Sequence, residues 1–299
     1  MNNVQVFGID VSKWQGAFNF KQAKSEGVKF AILRGAYSTD KDIRFESYYN
    51  ACKSLQIPVG VYHYSMAKSV SEARTEANFL INNVLKGKQF EYPIYMDVED
   101  KVQMALGKDL LTDIVIAYCE TLEKAGYYVG IYSSGSFFGT YMHENKLTKY
   151  DKWIAQWSKS CTYKGKYGMW QYGGETNLIR SVKVAGVTCD QDYCYVDYPT
   201  IIKNNKLNGF DMKLKSIDVI AKEVLDGLWG VGEERKQKLT SAGYSYADVQ
   251  KKVNELLKPK TYTVKSGDTL TAIAKANNTT VDKIASDNKL IYSGLTLKV

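Results

Sequence analysis

Two carboxylic acids separated by one residue, Asp97 and Glu99, end a stretch of the chain, residues 90–96, that is rich in β-favouring residues. Side chains two residues apart on a strand point to the same face, about 7 Å apart along the chain. Two carboxyl groups aimed at one sugar suit glycoside hydrolysis, because one protonates the leaving oxygen and the other stabilises the developing positive charge. Most isolated acidic triplets are solvated loop residues, so this pattern needs support from elsewhere in the chain.

A third acid supplies that support. Asp10 ends a second apolar stretch, residues 4–9, in the same way. In α/β proteins the C-terminal ends of parallel strands meet at one edge of the sheet, where active sites are built. We therefore expect Asp10, Asp97 and Glu99 to share one pocket.

Strand-like and helix-like stretches alternate over the first two hundred residues, which is typical of a parallel sheet with crossover helices. The stretches after residue 132 are richer in strands than in helices. The pattern predicts the α/β class, with an irregular β/α barrel whose site lies at the C-terminal ends of its strands.

Composition narrows the class of protein. The chain has 299 residues, enough for two or three domains. Its net charge of +8 is not gathered into blocks, which argues against nucleic-acid binding and suits an anionic surface such as a phosphate-bearing cell wall. Apolar runs stay shorter than the roughly 18 residues that a membrane-spanning helix needs, so we expect no membrane insertion.

The number and spacing of the cysteines and histidines argue against a disulfide framework, a zinc site and a cysteine peptidase. The five cysteines are odd in number and widely spaced, which predicts free thiols from a reducing compartment. The two histidines, His63 and His143, lack the spacing of zinc ligands, and no Cys–His pair indicates a cysteine peptidase. We therefore expect no metal site and no cofactor. The N-terminal residues lack the features of a signal peptide, which predicts synthesis in the cytoplasm without one.

Residues 1–204 resemble a glycoside hydrolase family 25 lysozyme. The resemblance rests on motifs in family order, which are residues 8–16, 30–35, 60–64, 97–99, 130–134, 153–156 and 170–172. It implies a muramidase, which cleaves the β-1,4 bond between N-acetylmuramic acid and N-acetylglucosamine in bacterial peptidoglycan.

The resemblance also implies roles for the acids. Glu99 becomes the general acid, while Asp97 stays ionised and orients the 2-acetamido group of the substrate. An alternative, in which a carboxylate activates water and inverts the anomeric centre, remains open. Asp10 and Asp190 become supporting acids. Asp190 falls on a family aspartate, although its neighbour Asp192 stands where the family usually has asparagine.

Several further side chains are candidates for the sugar cleft. Tyr62 and Tyr64 share one face of a strand, which leaves His63 on the other face as a core residue. For the remaining candidates, contact with the sugar and packing inside the barrel are both open. They are Arg34, Tyr132, Trp153, Gln156 and Trp170.

The polar stretch at residues 205–213 reads as a linker. Residues 214–257 then resemble a three-helix cell-wall-binding repeat. By that resemblance Asp226, Trp229 and Arg235 contact a muropeptide. The alternative is structural, with Trp229 as the core of a small bundle and Asp226 as a cap.

Residues 258–299 resemble a LysM domain, a small β-α-α-β module that binds N-acetylglucosamine-containing glycans. The matching residues are Gly267, Asp268, Thr269, Leu270, Ile291 and Tyr292. Asp268 is expected to cap the first helix rather than to bind.

Together these features predict a peptidoglycan hydrolase whose partner is the bacterial cell wall. A wall-lytic enzyme without a signal peptide suits a phage endolysin made in the host cytoplasm and acting outside it. A bacterial autolysin of the same activity and a non-catalytic peptidoglycan-binding protein are the alternatives. No pattern in the sequence predicts an oligomeric state.

Overall fold

A computed structural model describes residues 5–210, 215–258 and 261–289. Contacts between residues divide the chain into two compact units, residues 1–252 and residues 253–299. The division falls inside a helix, α10 (Tyr246–Leu257).

Eleven strands are present in the described residues. They are β1 (Val6–Val11), β2 (Phe30–Tyr37), β3 (Asp40–Lys41), β4 (Val59–Tyr64), β5 (Ile94–Asp97), β6 (Val129–Ser134), β7 (Asp151–Ala155), β8 (Met169–Gly173), β9 (Lys183–Val184), β10 (Val187–Thr188) and β11 (Asp190–Cys194). Eight of these strands form a closed barrel in the order β1-β11-β8-β7-β6-β5-β4-β2, closed by pairing between β1 and β2. Only β11 runs antiparallel to its barrel neighbours. The predicted irregular β/α barrel is confirmed.

Seven helices belong to the barrel region. They are α1 (Phe20–Ser25), α2 (Phe45–Ser54), α3 (Val70–Leu80), α4 (Lys101–Met104), α5 (Lys108–Lys124), α6 (Gly135–Tyr141) and α7 (Tyr198–Asn204). Short 3₁₀ turns form at Lys13–Gln15 and Glu144–Leu147, and α3 passes into a π-helical turn at Ile81–Leu85. Across the described residues, no helix combines the length and apolar character needed to cross a membrane.

Large aromatic side chains fill the interior of the barrel and leave room for only glycine on facing strands. A Cβ atom on Gly8 would lie 2.3 Å from the Phe30 ring, and one on Gly130 would lie 2.4 Å from the Tyr95 ring. Trp153 lies among these rings and is almost fully buried. The packed interior therefore gives the C-terminal end of the barrel a rigid aromatic floor.

The structure places residues 205–210, the start of the predicted linker, against the opposite end of the barrel. The Asn208 side chain is buried and donates to the carbonyl oxygens of Phe90 and Tyr92, at 3.2 and 2.9 Å. It also accepts a 2.7 Å hydrogen bond from the Tyr128 amide. This polar segment packs on the barrel because Asn208 forms hydrogen bonds with backbone groups just before β5 and β6.

The later helices are short. They are α8 (Ile217–Leu225), α9 (Gly232–Ser241), α10, α11 (Leu270–Ala276) and α12 (Val281–Asp287). In the last module no helix or strand is assigned to residues 261–265, where the first strand is predicted. The final strand predicted to complete the module lies outside the described residues.

Candidate active site

A cavity opens at the C-terminal end of the barrel, where the acid-tipped strands end. Its volume is about 180 Å³, below the roughly 300–1,000 Å³ typical of ligand pockets. A polymer bound here must therefore extend over the rim. The cavity is lined by Asp10, Arg34, Tyr62, Tyr64, Asp97, Glu99, Tyr132, Trp153, Gln171 and Asp190.

Asp97 is the last residue of β5 and is only 3% exposed. Burial raises the pKa of its carboxyl well above the usual value, the Glu99 charge adds to the rise, and the Arg34 guanidinium opposes it. The buried Asp97 Oδ1 accepts no hydrogen bond from the described residues. A buried acceptor of this kind suits an N–H donor from a ligand.

Glu99 lies just beyond the strand and keeps much of its surface exposed. Dense neighbouring protein nevertheless partly desolvates its carboxyl, which raises its pKa, and the Asp100 charge adds to this effect. Glu99 is thus both accessible from the cavity mouth and inclined to keep its proton. Those are the two properties that a general acid needs.

Arg34 is held toward the carboxylates by a buried ion pair. Its Nε donates a 2.7 Å hydrogen bond to Asp42 Oδ2, and the Asp42 side chain is 1% exposed. The same carboxylate accepts hydrogen bonds from the backbone amides of Lys13 and Arg44, at 3.0 and 2.8 Å. Asp42 therefore fixes Arg34 to the segments that follow β1 and β3.

A second group of acids closes the other side of the cavity. Asp10 Oδ2 accepts a 2.9 Å hydrogen bond from Gln171 Nε2. Burial raises the pKa of Asp10 well above its usual value, and the Asp190 and Asp192 charges raise it further. Burial, followed by the charges of Glu99 and Glu175, raises the pKa of Asp190 to about 7.

Aromatic rings form the floor and one wall. The Trp153 ring meets Tyr132 and Tyr62 edge to face, with centroids 4.5 and 6.1 Å apart. Tyr64 donates a 2.9 Å hydrogen bond to Asp100 and stacks on Tyr37 at 5.2 Å. Rings of this kind offer flat surfaces to a sugar while their hydroxyl groups stay polar.

The structure does not bring two of the predicted cleft residues into the cavity lining. Trp170 is 4% exposed and packs in the core, where its Nε1 donates to the Gln156 carbonyl at 2.7 Å. The Gln156 side chain instead holds Thr162, donating to its Oγ1 and accepting from its amide at 3.0 Å each. Trp170 lies behind the site because successive residues of a strand face opposite sides, whereas Gln156 lies just beyond the end of β7.

His63 has no exposed surface and lies on the outer face of β4, as expected. Its two ring nitrogens meet the Tyr118 hydroxyl at 2.7 Å and the Ser38 carbonyl oxygen at 2.6 Å. Burial lowers its pKa to about 4, so the ring is neutral near neutral pH.

Gln171 is the lining residue that the sequence analysis missed. Besides Asp10, its side chain binds the Tyr132 hydroxyl and Trp157 Nε1, each at 3.0 Å to Oε1. The hydrogen bond to Gln171 holds Trp157, which is 41% exposed, beside the cavity lining. The sequence did contain a signal for Gln171. Side chains alternate along a strand, so Gln171 must point to the face opposite that of its neighbour Trp170.

In the three-helix module, the predicted binding residues take part in local contacts. Trp229 Nε1 donates to Glu223 at 3.0 Å, and its ring meets Tyr244 edge to face. Arg235 Nε donates to the Gly230 carbonyl at 3.0 Å. Asp226 is exposed at the C-terminal end of α8. Trp229 and Arg235 thus stabilise the bundle, and each keeps part of its surface exposed.

In the last module the helix cap is Thr269, not Asp268. Thr269 accepts a hydrogen bond from the Ala272 amide at 3.2 Å, and Leu270 begins the helix. Asp268 accepts instead from the Lys265 amide at 2.7 Å and from the Tyr262 hydroxyl at 2.9 Å, next to Gly267 with a φ of 91°. The remaining predicted residues, Ile291 and Tyr292, lie outside the described residues.

All five cysteines are free thiols, as predicted. In the described part of the chain, no group of three or more His, Cys, Asp or Glu side chains is arranged to hold a metal ion. The expectation that catalysis needs no cofactor stays a prediction.

A β/α barrel with acids converging at the C-terminal ends of its strands has the arrangement expected of a glycoside hydrolase. Comparison with known families agrees. The sequence profile of the glycosyl hydrolases family 25 matches residues 9–179, that of the CW_7 repeat matches residues 218–257, and that of the LysM domain matches residues 262–299.

Two lysozymes are related to this chain at low sequence identity. The chain is 28% identical to a lysozyme of Streptococcus phage Cp-7 over 259 residues, which cover 83% of this chain and 69% of the relative. It is 25% identical to lysozyme M1 of Streptomyces globisporus, over 71% of each chain.

Solved structures show the same fold. The modular autolysin LytC from Streptococcus pneumoniae, in complex with a synthetic peptidoglycan ligand, has a TM-score of 0.56 at 25% identity. That match covers 64% of this chain and 47% of the autolysin, so this chain spans about half its length. A bacterial lysozyme from Streptomyces coelicolor has a TM-score of 0.58 at 23% identity, covering 70% of this chain and 100% of the other.

Because the family profile spans more than half of the sequence, the chain belongs to the glycosyl hydrolases family 25. It is a glycoside hydrolase of the lysozyme, or muramidase, class, and its substrate is peptidoglycan. The LysM match agrees with action at the bacterial cell wall.

Proposed function

We propose that the enzyme cuts the bond between N-acetylmuramic acid and N-acetylglucosamine with Glu99 as general acid and Asp97 as the ionised partner. The observation that carries this proposal is the convergence of the two carboxyl groups on one cavity with the Arg34 guanidinium. Two neighbouring carboxyl groups in one desolvated site resist ionising together, so the pair holds one proton. Burial raises the pKa of both carboxyl groups, but the Arg34 guanidinium lowers that of Asp97, so we place the negative charge on Asp97 and the proton on Glu99.

Glu99 then gives its proton to the glycosidic oxygen as the bond to the anomeric carbon breaks. Its exposure at the cavity mouth supports this role, because the leaving sugar must reach the carboxyl group. The raised pKa supports it as well, because the acid must be protonated when substrate binds.

Asp97 orients and polarises the 2-acetamido group of the substrate. Its buried Oδ1 is suited to accept the acetamido N–H. The acetamido oxygen then attacks the anomeric carbon, and Glu99 takes a proton from the water that opens the resulting ring, which is the substrate-assisted route. Direct attack by an activated water, with inversion, is the alternative reaction.

The remaining lining residues hold the sugar. Asp10 and Asp190 position polar groups of the sugar in the cavity that they line together with Glu99. Tyr62, Tyr64, Tyr132 and Trp153 offer their rings to the sugar.

We assign wall binding to the two later modules. Asp226, Trp229 and Arg235 in the first, and residues 267–270 with Ile291 and Tyr292 in the second, are the proposed contacts. Two weak sites on one polymer raise the effective concentration of the enzyme at its substrate.

The cellular role that we favour is that of a phage endolysin, made in the host cytoplasm and acting on the wall. The match to the lysozyme of Streptococcus phage Cp-7 supports it, because it extends over 83% of this chain. A bacterial autolysin is the second candidate, supported by the likeness to LytC and to an autolytic lysozyme of Clostridium acetobutylicum.

Substitution of the acid tests the proposal. Glu99→Gln is expected to lower the rate of reducing-end release by about 10²–10⁴-fold, while sedimentation with purified walls stays unchanged. Asp97→Asn is expected to be almost as severe. Glu175→Gln is the matched control, because it removes an exposed carboxyl near Asp190 without touching the cavity. A Glu99→Gln enzyme as active as the Glu175→Gln control would refute the assignment.

A further inference from the structure

One buried carboxyl group beside the active site has an incomplete set of partners. Asp192, on β11, has no exposed surface and does not line the cavity. Its Oδ1 accepts a 2.8 Å hydrogen bond from Trp153 Nε1. Its Oδ2 receives no N–H or O–H from the residues that the structure describes. A buried acceptor without a donor is costly, so something else must satisfy this oxygen.

The group that faces Asp192 is the carboxyl of Asp10. Strands β1 and β11 are antiparallel neighbours, with Gly8 opposite Asp192 and Asp10 opposite Asp190. Asp10 is therefore the diagonal cross-strand neighbour of Asp192, and hydrogen bonding to the Asp10 carboxyl lowers the Asp192 pKa against the effect of burial. Two neighbouring buried carboxylates repel when both are ionised, whereas a single proton between them satisfies both.

The charges around the pair favour that proton. Besides Asp10 on β1, the charged group acting on Asp192 is Asp190 on its own strand. The Asp192 charge in turn raises the pKa values of Tyr172 on β8 and of Cys189 and Cys194. All of these groups become negative when they ionise. Burial, before any charge effect, raises the pKa of both Asp10 and Asp192.

The positively charged residue that lines the cavity, Arg34, acts on residues other than Asp10 and Asp192. The Arg34 guanidinium lowers the pKa values of Asp97 and Tyr62. Gln171 and Trp153 each donate one neutral N–H, to Asp10 and Asp192 respectively. Neutral donors of this kind compensate a single negative charge better than two.

We propose that Asp10 and Asp192 share one proton in the working enzyme and that Asp192 is thereby a positioning residue for Asp10. The inference rests on the proposed function, because Asp10 matters as a lining residue of the sugar cavity. Asp192 touches no reacting atom. Its role is to hold the Asp10 carboxylate against Gln171. When the shared proton leaves at high pH, two adjacent negative charges repel and displace Asp10, so activity falls on the alkaline side.

The test replaces Asp192 with asparagine, whose amide N–H takes the place of the shared proton at every pH. Asp192→Asn keeps an oxygen for the Trp153 indole and presents an N–H to Asp10. We expect kcat/KM on soluble peptidoglycan fragments to be retained at acidic pH. The wild-type alkaline limb combines loss of the Glu99 proton with loss of the shared proton, so in Asp192→Asn it should become shallower and approach a tenfold fall per pH unit. The matched control is Asp151→Asn, which removes a half-buried carboxyl with a raised pKa at the start of β7, outside the cavity lining. It should leave the limb in place.

Two results would overturn the proposal. An unchanged alkaline limb in Asp192→Asn would mean that no shared proton governs it. Loss of activity at every pH in a folded Asp192→Asn enzyme would mean that the Asp192 charge itself is required.

A second readout does not depend on activity. Infrared spectra of the wild-type protein at neutral pH should contain a protonated carboxyl band besides that of Glu99, and this band should be missing in Asp192→Asn. If that variant does not fold, Asp10→Asn decides, since replacing the partner must shift the same band. A spectrum unmoved by either substitution contradicts the shared proton. A wild-type enzyme without activity but with this band would instead refute the proposed function alone.

Discussion

The buried His63 predicts a specific loss of stability in acid. Its pKa falls from 6.5 to about 4 on folding because the ring is buried. The native protein therefore binds fewer protons than the unfolded chain between these two values. The stability that the neutral ring contributes is fully present above pH 6.5 and is lost as pH falls toward 4. A shift of about 2.5 pKa units corresponds to about 3 kcal/mol.

The assay compares wild type with His63→Gln by urea unfolding across this pH range. Tryptophan fluorescence reports on the barrel, since four of the five tryptophans lie in residues 1–204. The wild type should be the more stable protein at neutral pH, and its advantage should shrink by about 3 kcal/mol on acidification. Both proteins have the same carboxyl groups, so the effect of carboxyl titration on stability cancels when the two free energies of unfolding are subtracted. His143→Gln is the control, because it replaces a partly exposed ring that is hydrogen-bonded to Asp109. A constant gap between wild type and His63→Gln would refute the buried, neutral ring.

Three further predictions follow from the same contacts. Asp42→Ala leaves the Arg34 charge buried without its partner, so the free energy of unfolding should fall by about 3–5 kcal/mol. Asp42→Asn should lose less, and urea unfolding of both variants measures the difference. Asp190→Asn mimics the neutral form of a group whose pKa is about 7, so kcat/KM should fall mainly above that pH and less than in Glu99→Gln. Deleting residues 214–299 should slow lysis of whole cells far more than cleavage of soluble fragments, as turbidity and reducing-end assays would show.

The barrel and its acidic end were predictable from local patterns. Asp10 and Asp97 each end an apolar stretch, and parallel strands bring such ends together whatever the detailed pairing. The placement of Tyr62 and Tyr64 on one face, and of His63 on the other, follows from the alternation of a single strand.

Contacts that depend on distant pairing were not predictable. Gln171 reaches Asp10 only because antiparallel β11 lies between β8 and β1. Asp42 reaches Arg34 through the short β2–β3 hairpin, which has no strong sequence signal. The capping role of Thr269 depended on where the helix starts, and helix boundaries are uncertain by one or two residues.

The central claim is tested most directly by the chemistry of the digest. Purified Gram-positive peptidoglycan is incubated with the enzyme, the products are reduced with borohydride, and the reduced sugar is identified by mass spectrometry. Cleavage by Glu99 and Asp97 at the proposed bond predicts reduced N-acetylmuramic acid, absent from a Glu99→Gln digest. Reduced N-acetylglucosamine would place the cut at the other glycosidic bond, and the absence of new reducing ends would contradict the glycosidase account altogether.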